Sequence, residues 1–540
     1  MISVRSVSFE LSIFILGNSI CSRHLTFGYL IKLVVTECRL VIEMAYLMWE
    51  VVVCSWIFLF CTGLKVEEWN KRANDALERV IKINHNTNMA KNVIFFLGDG
   101  MGITTVTASR IYKGQKNGKV GELESLNFEK LPFVGLSKTF SNDRQVTESG
   151  ASAVALLSGA KVNSGTLGLN SKAVRAKCDT QKGKATGIVT TTRITHATPA
   201  ATYAHIVERY WENDARVPKA DRDTCKDIAA QLVDDNPNIN VVMGGGRSNF
   251  LPKTMRDPEY PDTVTGSRED DRNLVEVMEQ ILTNFRTGLF EPSHMRYSIK
   301  RGEDGAGEPT FADMVEKAIR IMSRRSEGYF LLAEGGRIDH AHHDNLPKLA
   351  MEDTISFDEG VARALSLTSE KDTLIIVTAD HAHPFTLGSW ASLNNSILGF
   401  VDKVGYDNEP ALDNFPYLSL SYGNGPGVLQ RQNLTGQNTE ADDYAFPSRV
   451  PMQWDTHGGQ DVAVYARGPM AHLVNGVQES NYFAYMMAYA SCVGPRKEKC
   501  SRHDQPPSFI CAAPGSTFRK PAYNMVEVIM LLLSFVCLHV

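Results

Sequence analysis

Apolar positions in the body of the chain follow two rhythms. Trp69, Ala73, Ala76, Leu77, Val80 and Ile81 recur at helical spacing with charges between them, which predicts an amphipathic helix over 69–81. Short runs of apolar, β-branched or aromatic residues follow, alternating with helical stretches, at 92–97, 187–191, 240–243, 329–333, 373–378 and 462–466. Several of these runs end in Gly, Asp or Glu. Strands alternating with helices predict an α/β fold, a three-layer sandwich whose central, mostly parallel sheet is covered by helices on both faces. Ligands of such sheets bind beyond the carboxyl ends of the strands, where polar residues cluster here.

Both ends depart from that rhythm. Residues 1–43 are apolar and irregular, and a second apolar stretch, 45–60, ends at Cys61-Thr62-Gly63. That stretch resembles the apolar region and cleavage site of a secretory signal, with Met44 or Met48 as its start, although Glu50 stands where positive charge is expected. Near the other end, 526–540 is apolar but short for a membrane span. Before it lie a polar spacer with Arg519 and Lys520 and the small residues Ala512, Ala513, Gly515 and Ser516. This order is the glycosylphosphatidylinositol (GPI) attachment pattern, which places the chain on the extracellular face of the plasma membrane. The expected organisation is an upstream segment and signal peptide over 1–63, one large domain over 64–515, and an attachment propeptide over 516–540.

Charge narrows the function. Lys and Arg number 56 against 61 Asp and Glu, for a net charge of −5. A nucleic-acid binder would carry a basic footprint, so no nucleic-acid partner is expected. Cysteine usage fits export: Cys492 and Cys500 bracket a short loop suited to a disulfide, Cys178 with Cys225 closes a longer one, and Cys511 is left over. Asn394 and Asn433 head glycosylation sequons.

The candidate chemistry lies at strand ends. Asp99 follows the run 92–97 inside Gly98-Asp99-Gly100-Met101-Gly102, where it can act as a helix cap or as a metal ligand. Glu334 follows 329–333, and Asp339 and His343 come next, four apart and so on one helix face, able to grip one metal. Asp380-His381 ends the run 373–378, with His383 as a supporting group, and Asp455-Thr456-His457 precedes 462–466. Mixed Asp and His ligation without thiolate suits catalytic zinc. Ser149 begins a small-residue helix, either as its cap or as a nucleophile where the helix dipole favours a phosphate. His196, Thr198 and Arg209 follow later. Gly244-Gly245-Gly246-Arg247 lacks the Lys-Ser/Thr of a phosphate loop and is read as a turn, as is Gly423-Asn424-Gly425-Pro426-Gly427.

Taken in order, the segments NVIFFLGDGMG, ESGASA, VTTTRITHATPAATYAHIVER, EGGRIDHAHHD, VTADHAH and DTHGGQDVAVYARGP resemble the signature blocks of animal alkaline phosphatases, from about Trp69 to Cys500. The resemblance implies a GPI-anchored, homodimeric enzyme that releases inorganic phosphate from phosphate monoesters through a phosphoserine on Ser149. It implies two zinc ions, one held by Asp339, His343 and His457, the other by Asp99, Asp380 and His381. It implies one magnesium ion on Asp99, Thr198 and Glu334, with His196 beside it, and Arg209 as a fork on two phosphate oxygens. It also implies a calcium site on Glu259, the Phe290 carbonyl and Glu291, its fourth ligand open, and a crown-like insert at about 385–445.

Departures from the family pattern leave a second reading open. Glu148 stands where relatives carry Asp, and its extra methylene is expected to push Arg209 out of register. Trp454 occupies a rim position commonly acidic in relatives, and the chain is short of residues after Cys178 and between Val275 and Gly288. A binding or surface protein that keeps metals but turns over little is the alternative. A relative such as a sulfatase or phosphodiesterase is a third reading; Ser149 is followed by Gly-Ala-Ser rather than the Pro and Arg context of sulfatases, and the Thr198 and Glu334 magnesium pair favours a monoesterase.

Overall fold

The computed structural model describes residues 65–169, 185–281, 286–403, 411–427 and 431–493. Residues up to Ile83 and those from Asn84 onward form separate units. The first contains helix α1, Val66–Ile81, an amphipathic helix with no buried residue. Its apolar stripe, Val66, Trp69, Leu77, Val80 and Ile81, is exposed.

The second unit is built on a nine-stranded sheet. Its strands are β1 (Asn92–Gly98), β2 (Phe133–Lys138), β3 (Ala185–Arg193), β4 (Val241–Gly245), β5 (Arg286–Leu289), β6 (Tyr329–Gly335), β7 (Thr373–Ala379), β11 (Val462–Arg467) and β12 (Val477–Glu479). They lie in the order β12-β2-β11-β7-β1-β6-β3-β4-β5. Every pairing is parallel except those of β11, which runs antiparallel to β2 and β7. All six predicted strands are present; five gain one or two residues at one or both ends, and β4 starts one residue later and runs two residues further.

Alternation along the central strands explains the layers. Val93, Phe95 and Leu97 of β1 enter one apolar cluster, while Ile94 and Phe96 enter another on the opposite face. On β7, Leu374 and Ile376 divide from Ile375 and Val377 in the same way. A strand buried on both faces reads as a continuous apolar run, which is why these two were legible. The first cluster is closed by α3 (Ser149–Ser158), α5 (Ile228–Asp235), α6 (Leu274–Ile281) and α10 (Tyr482–Ala490), the second by α7 (Phe311–Met322) and α9 (Pro347–Leu367). The remaining α-helices among the described residues are α2 (Ile103–Lys116) and two short ones, α4 (Ala197–Ala200) and α8 (Arg337–His343).

A small sheet of β8 (Phe385–Leu387), β9 (Leu420–Gly425) and β10 (Ser448–Pro451) occupies much of the stretch expected as an insert. Phe385, Leu420, Tyr422 and Phe446 pack there on Ala108, Ile111 and Met351, so the insert shares an apolar cluster with α2 and α9. Among the described residues no helix is long and apolar enough to cross a membrane. The expected signal peptide, GPI segment, Cys178, Cys500 and Cys511 lie outside the described residues. Cys492 is disulfide-bonded. Cys225 carries a free thiol whose sulfur lies 3.9 Å from the Thr224 hydroxyl, and Cys178, its expected partner, lies outside the described residues.

Candidate active site

The carboxyl ends of β1, β6 and β7 lie side by side, with Gly98 paired to both Gly335 and Ala379. The residues that leave those ends therefore converge. Asp99 follows β1, Glu334 is the penultimate residue of β6, α8 carries Asp339 and His343, and Asp380-His381 follows β7. Gly100 makes the approach feasible. Its φ is +68°, and a Cβ there would sit 2.7 Å from His383 Nε2 and 3.1 Å from Asp339 Cα.

Three groups of ligating atoms form. In the first, His343 Nε2 is 3.3 Å from Asp339 Oδ2, and His457 Nε2 is 3.4 Å from Asp339 Oδ1 and 3.2 Å from His343 Nε2. In the second, His381 Nε2 is 3.3 Å from both Asp99 Oδ1 and Asp380 Oδ2. Ser149 joins the second group, its Oγ 3.3 Å from Asp99 Oδ1 and 3.4 Å from His381 Nε2. A third group brings Asp99, Glu334 and His196 within 4.8 Å of one another. Thr198, on α4, is fully buried, and its Oγ1 has no hydrogen-bond partner, nor have Asp99 Oδ2 and Glu334 Oε1.

Burial of this many carboxylates is costly without cations. Burial, with Asp339 and Glu334 nearby, pushes the Asp99 carboxyl well up, and burial together with Asp99 does the same to Asp380. Glu334 is pushed up to about 7 by burial, against hydrogen bonds from Thr190 and Thr192. For His343 burial opposes the charge, but Asp339 beside it carries its pKa up to about 9. Orphaned buried oxygens, clustered acids and imidazoles facing them are the donor set of a multi-metal centre, so the residues fit the ions expected of them.

Ser149 is not the helix cap. Glu148 is: its carboxylate accepts from Gly150 N at 2.9 Å, Ala151 N at 2.6 Å and, across the chain, Gly165 N at 3.0 Å. Ser149 is thereby the first residue of α3, and the Gly150 and Ala151 amides at that helix end are engaged by Glu148. Glu148 Oε2 also accepts from Arg209 Nη1, so the longer side chain still reaches the arginine. Burial alone would lower the Arg209 pKa, and Glu148 holds it up instead. Tyr210 stacks near the guanidinium, 5.2 Å from ring centre to Cζ.

Sequence reasoning missed several supports. Thr190 and Thr192 of β3 donate to Glu334 Oε2, the latter at 3.2 Å, while Thr191 Oγ1 accepts from Gly336 N at 3.0 Å. The run of three threonines at a strand end was the available signal. Asp304 joins Glu259 and Glu291 in a peripheral cluster whose carboxylate oxygens lie within 4.8 Å of one another. Phe290 is half-buried beside Glu291. Asn394 and Asn433, the sequon residues, are exposed.

The family model for alkaline phosphatase matches residues 90–493. The tissue-nonspecific alkaline phosphatase of Gallus gallus is 42% identical over 484 residues, covering 82% of this chain and 92% of its own. That of Homo sapiens is 40% identical over 477 residues, covering 80% and 90%. Among solved structures, alkaline phosphatase from the Antarctic bacterium TAB5 aligns with TM-score 0.53 at 21% identity, over 76% of this chain and 99% of its own. That from Thermus thermophilus aligns with TM-score 0.54 at 23% identity, over 75% and 92%. The chain belongs to the alkaline phosphatase family and is a metal-binding phosphomonoesterase.

Proposed function

We propose that the chain hydrolyses phosphate monoesters through a phosphoserine on Ser149, with two zinc ions and one magnesium ion as its cofactors. The observation that carries this reading is the position of Ser149 Oγ between Asp99 and His381, at 3.3 and 3.4 Å, with Arg209 tethered to the preceding residue.

Asp339, His343 and His457 would hold one zinc ion, Asp99, Asp380 and His381 the other, and Asp99, Thr198 and Glu334 the magnesium ion. Bound there, the ions would act as Lewis acids that ease deprotonation of the serine and of a water and stabilise the leaving oxygen. Ser149 Oγ attacks phosphorus in line with the leaving oxygen; the bond to the leaving group breaks as the bond to Oγ forms. Arg209 keeps its charge and spends Nη1 on Glu148, so Nε and Nη2 remain for two phosphate oxygens. Burial, with Arg209 and Arg193 close by, holds His196 neutral, so it adds no cation beside the magnesium ligands. Water then cleaves the phosphoserine and restores Ser149. Only the phosphoryl group is gripped, so the leaving group is loosely specified.

The same reading extends to the rest of the chain: export, a GPI anchor, glycans on Asn394 and Asn433, a homodimer, a Cys492–Cys500 disulfide and calcium on Glu259, Phe290, Glu291 and Asp304. The decisive experiment measures p-nitrophenyl phosphate hydrolysis with and without chelator, beside Ser149→Ala. Expected are chelator-sensitive turnover and no phosphoenzyme in the variant. Folded, metal-loaded protein without chelator-sensitive turnover sinks the proposal.

A further inference from the structure

Asp455 lies two residues before the ligand His457 and is fully buried, yet it belongs to none of the metal clusters. Its contacts are with groups that themselves touch ligands. His383 meets Asp455 Oδ2 through Nδ1 at 2.9 Å and Asp339 Oδ1 through Nε2 at 2.9 Å. His383 lies within 4.8 Å of ligating atoms of Asp339, His381 and His457, but both of its ring nitrogens meet carboxylates, which removes it from the set of free ligands. The backbone of Asp455 makes a second pair of contacts: its N–H donates to the His343 carbonyl at 2.8 Å, and its carbonyl faces His343 Nδ1 at 2.5 Å.

We infer that Asp455 is a positioning residue that orients two ligands of one zinc site at once, Asp339 through the His383 imidazole and His343 through its own carbonyl. This rests on the assignment of Asp339, His343 and His457 to one metal. A carbonyl on Nδ1 fixes the tautomer that leaves Nε2 of His343 for the metal. The imidazole between Asp455 and Asp339 holds Asp339 Oδ1 and so would fix the carboxylate with Oδ2 beside His343 Nε2 at 3.3 Å. The two routes differ in one testable way. Side-chain substitution at Asp455 cuts the His383 route and spares the carbonyl route.

The test uses the full chain and titrates its zinc content against a competing chelator of known affinity. Loss of such supporting hydrogen bonds commonly weakens a metal about 10–100-fold. Asp455→Ala is expected to weaken one of the two zinc equivalents by about that factor and to leave the other unchanged. Asp455→Asn, whose amide can meet Nδ1 as donor or acceptor, recovers most of the loss. His383→Gln repeats the effect, and combining it with Asp455→Ala adds little, since both lie on one route. Should Asp455→Ala fail to fold, His383→Gln gives the same readout. Equal weakening of both equivalents, or unchanged zinc affinity with only a lowered melting temperature, overturns the inference. Wild-type protein that binds no zinc overturns the metal assignment instead.

Discussion

Arg209 Nη1 donates to Glu148 Oε2, and the same carboxylate caps α3 through the amides of Gly150 and Ala151. One side chain thus joins the nucleophile's helix to the arginine that grips phosphate. The sequence suggested that the methylene Glu148 adds relative to the family's Asp would displace Arg209. Instead the longer chain spans both tasks. Glu148→Gln removes the charge, and hydrogen bonds to charged groups contribute roughly 1.5–3 kcal/mol, so kcat/KM is expected to fall about 10–100-fold. Glu148→Asp, one methylene shorter, is expected to lower the rate too. A rise in kcat/KM for that variant would show that the pair, though formed, holds Arg209 out of register.

Removing the metals exposes a buried charge problem. Asp99, Asp380 and Glu334 are 0%, 2% and 0% exposed, and burial raises the pKa of each. A folded-state pKa above the unfolded value gives stability that is intact below the unfolded pKa and lost as pH rises through the folded one. For Glu334 that window runs from its ordinary value of 4.5 up to about 7. Chelated protein is therefore expected to melt at progressively lower temperature from about pH 5 to pH 8, while metal-loaded protein stays nearly level. Calorimetry with and without chelator reads this directly. Superimposable curves would mean that no cation neutralises these acids.

Asp353 gives a pH effect away from the site. It is 5% exposed, accepts from Ser298 N at 3.1 Å and Oγ at 3.3 Å, and is pushed by burial from 3.8 up to about 6. Its contribution is present below about pH 4 and lost as pH rises through about 6, a difference on the order of 3 kcal/mol. Asp353→Asn is expected to flatten the stability profile between those limits. Urea midpoints at several pH values, at fixed metal, measure it; parallel profiles for the two proteins reject it.

What the sequence made legible follows from how each feature is encoded. β1 and β7 are buried on both faces, and their apolar runs announce it. β2 alternates exposed and buried positions around Gly135, and β12 is only Val477, Gln478 and Glu479, so neither carries a run long enough to notice. Asp339 and His343 could be paired from helical spacing alone. Thr190 and Thr192 act on Glu334, more than a hundred residues away in sequence but on the neighbouring strand, where β3 and β6 pair Thr190 with Glu334. Asp455 is a similar case. Its proximity to Asp339 exists only once β7 and the approach to β11 have placed His383 between them.

Glu212, three residues past Arg209, is the last case in which tertiary contact decides the role. Its side chain is 3% exposed and accepts from Arg193 Nε at 2.7 Å and Nη2 at 2.8 Å, from Thr195 Oγ1 at 2.6 Å and from Asn249 Nδ2 at 3.1 Å. It therefore bolts the loop after Arg209 to the end of β3, whose next turn carries His196 and Thr198. Glu212→Ala leaves Arg193 with the His294 imidazole beside it but no carboxylate. Breaking one side of such a buried pair costs about 3–5 kcal/mol, and the urea midpoint is expected to drop accordingly. The loop's freedom also reaches Arg209, so KM for p-nitrophenyl phosphate should rise while the phosphoserine still forms. A destabilised variant with unchanged KM would confine Glu212 to the scaffold and leave the placing of Arg209 to Glu148 alone.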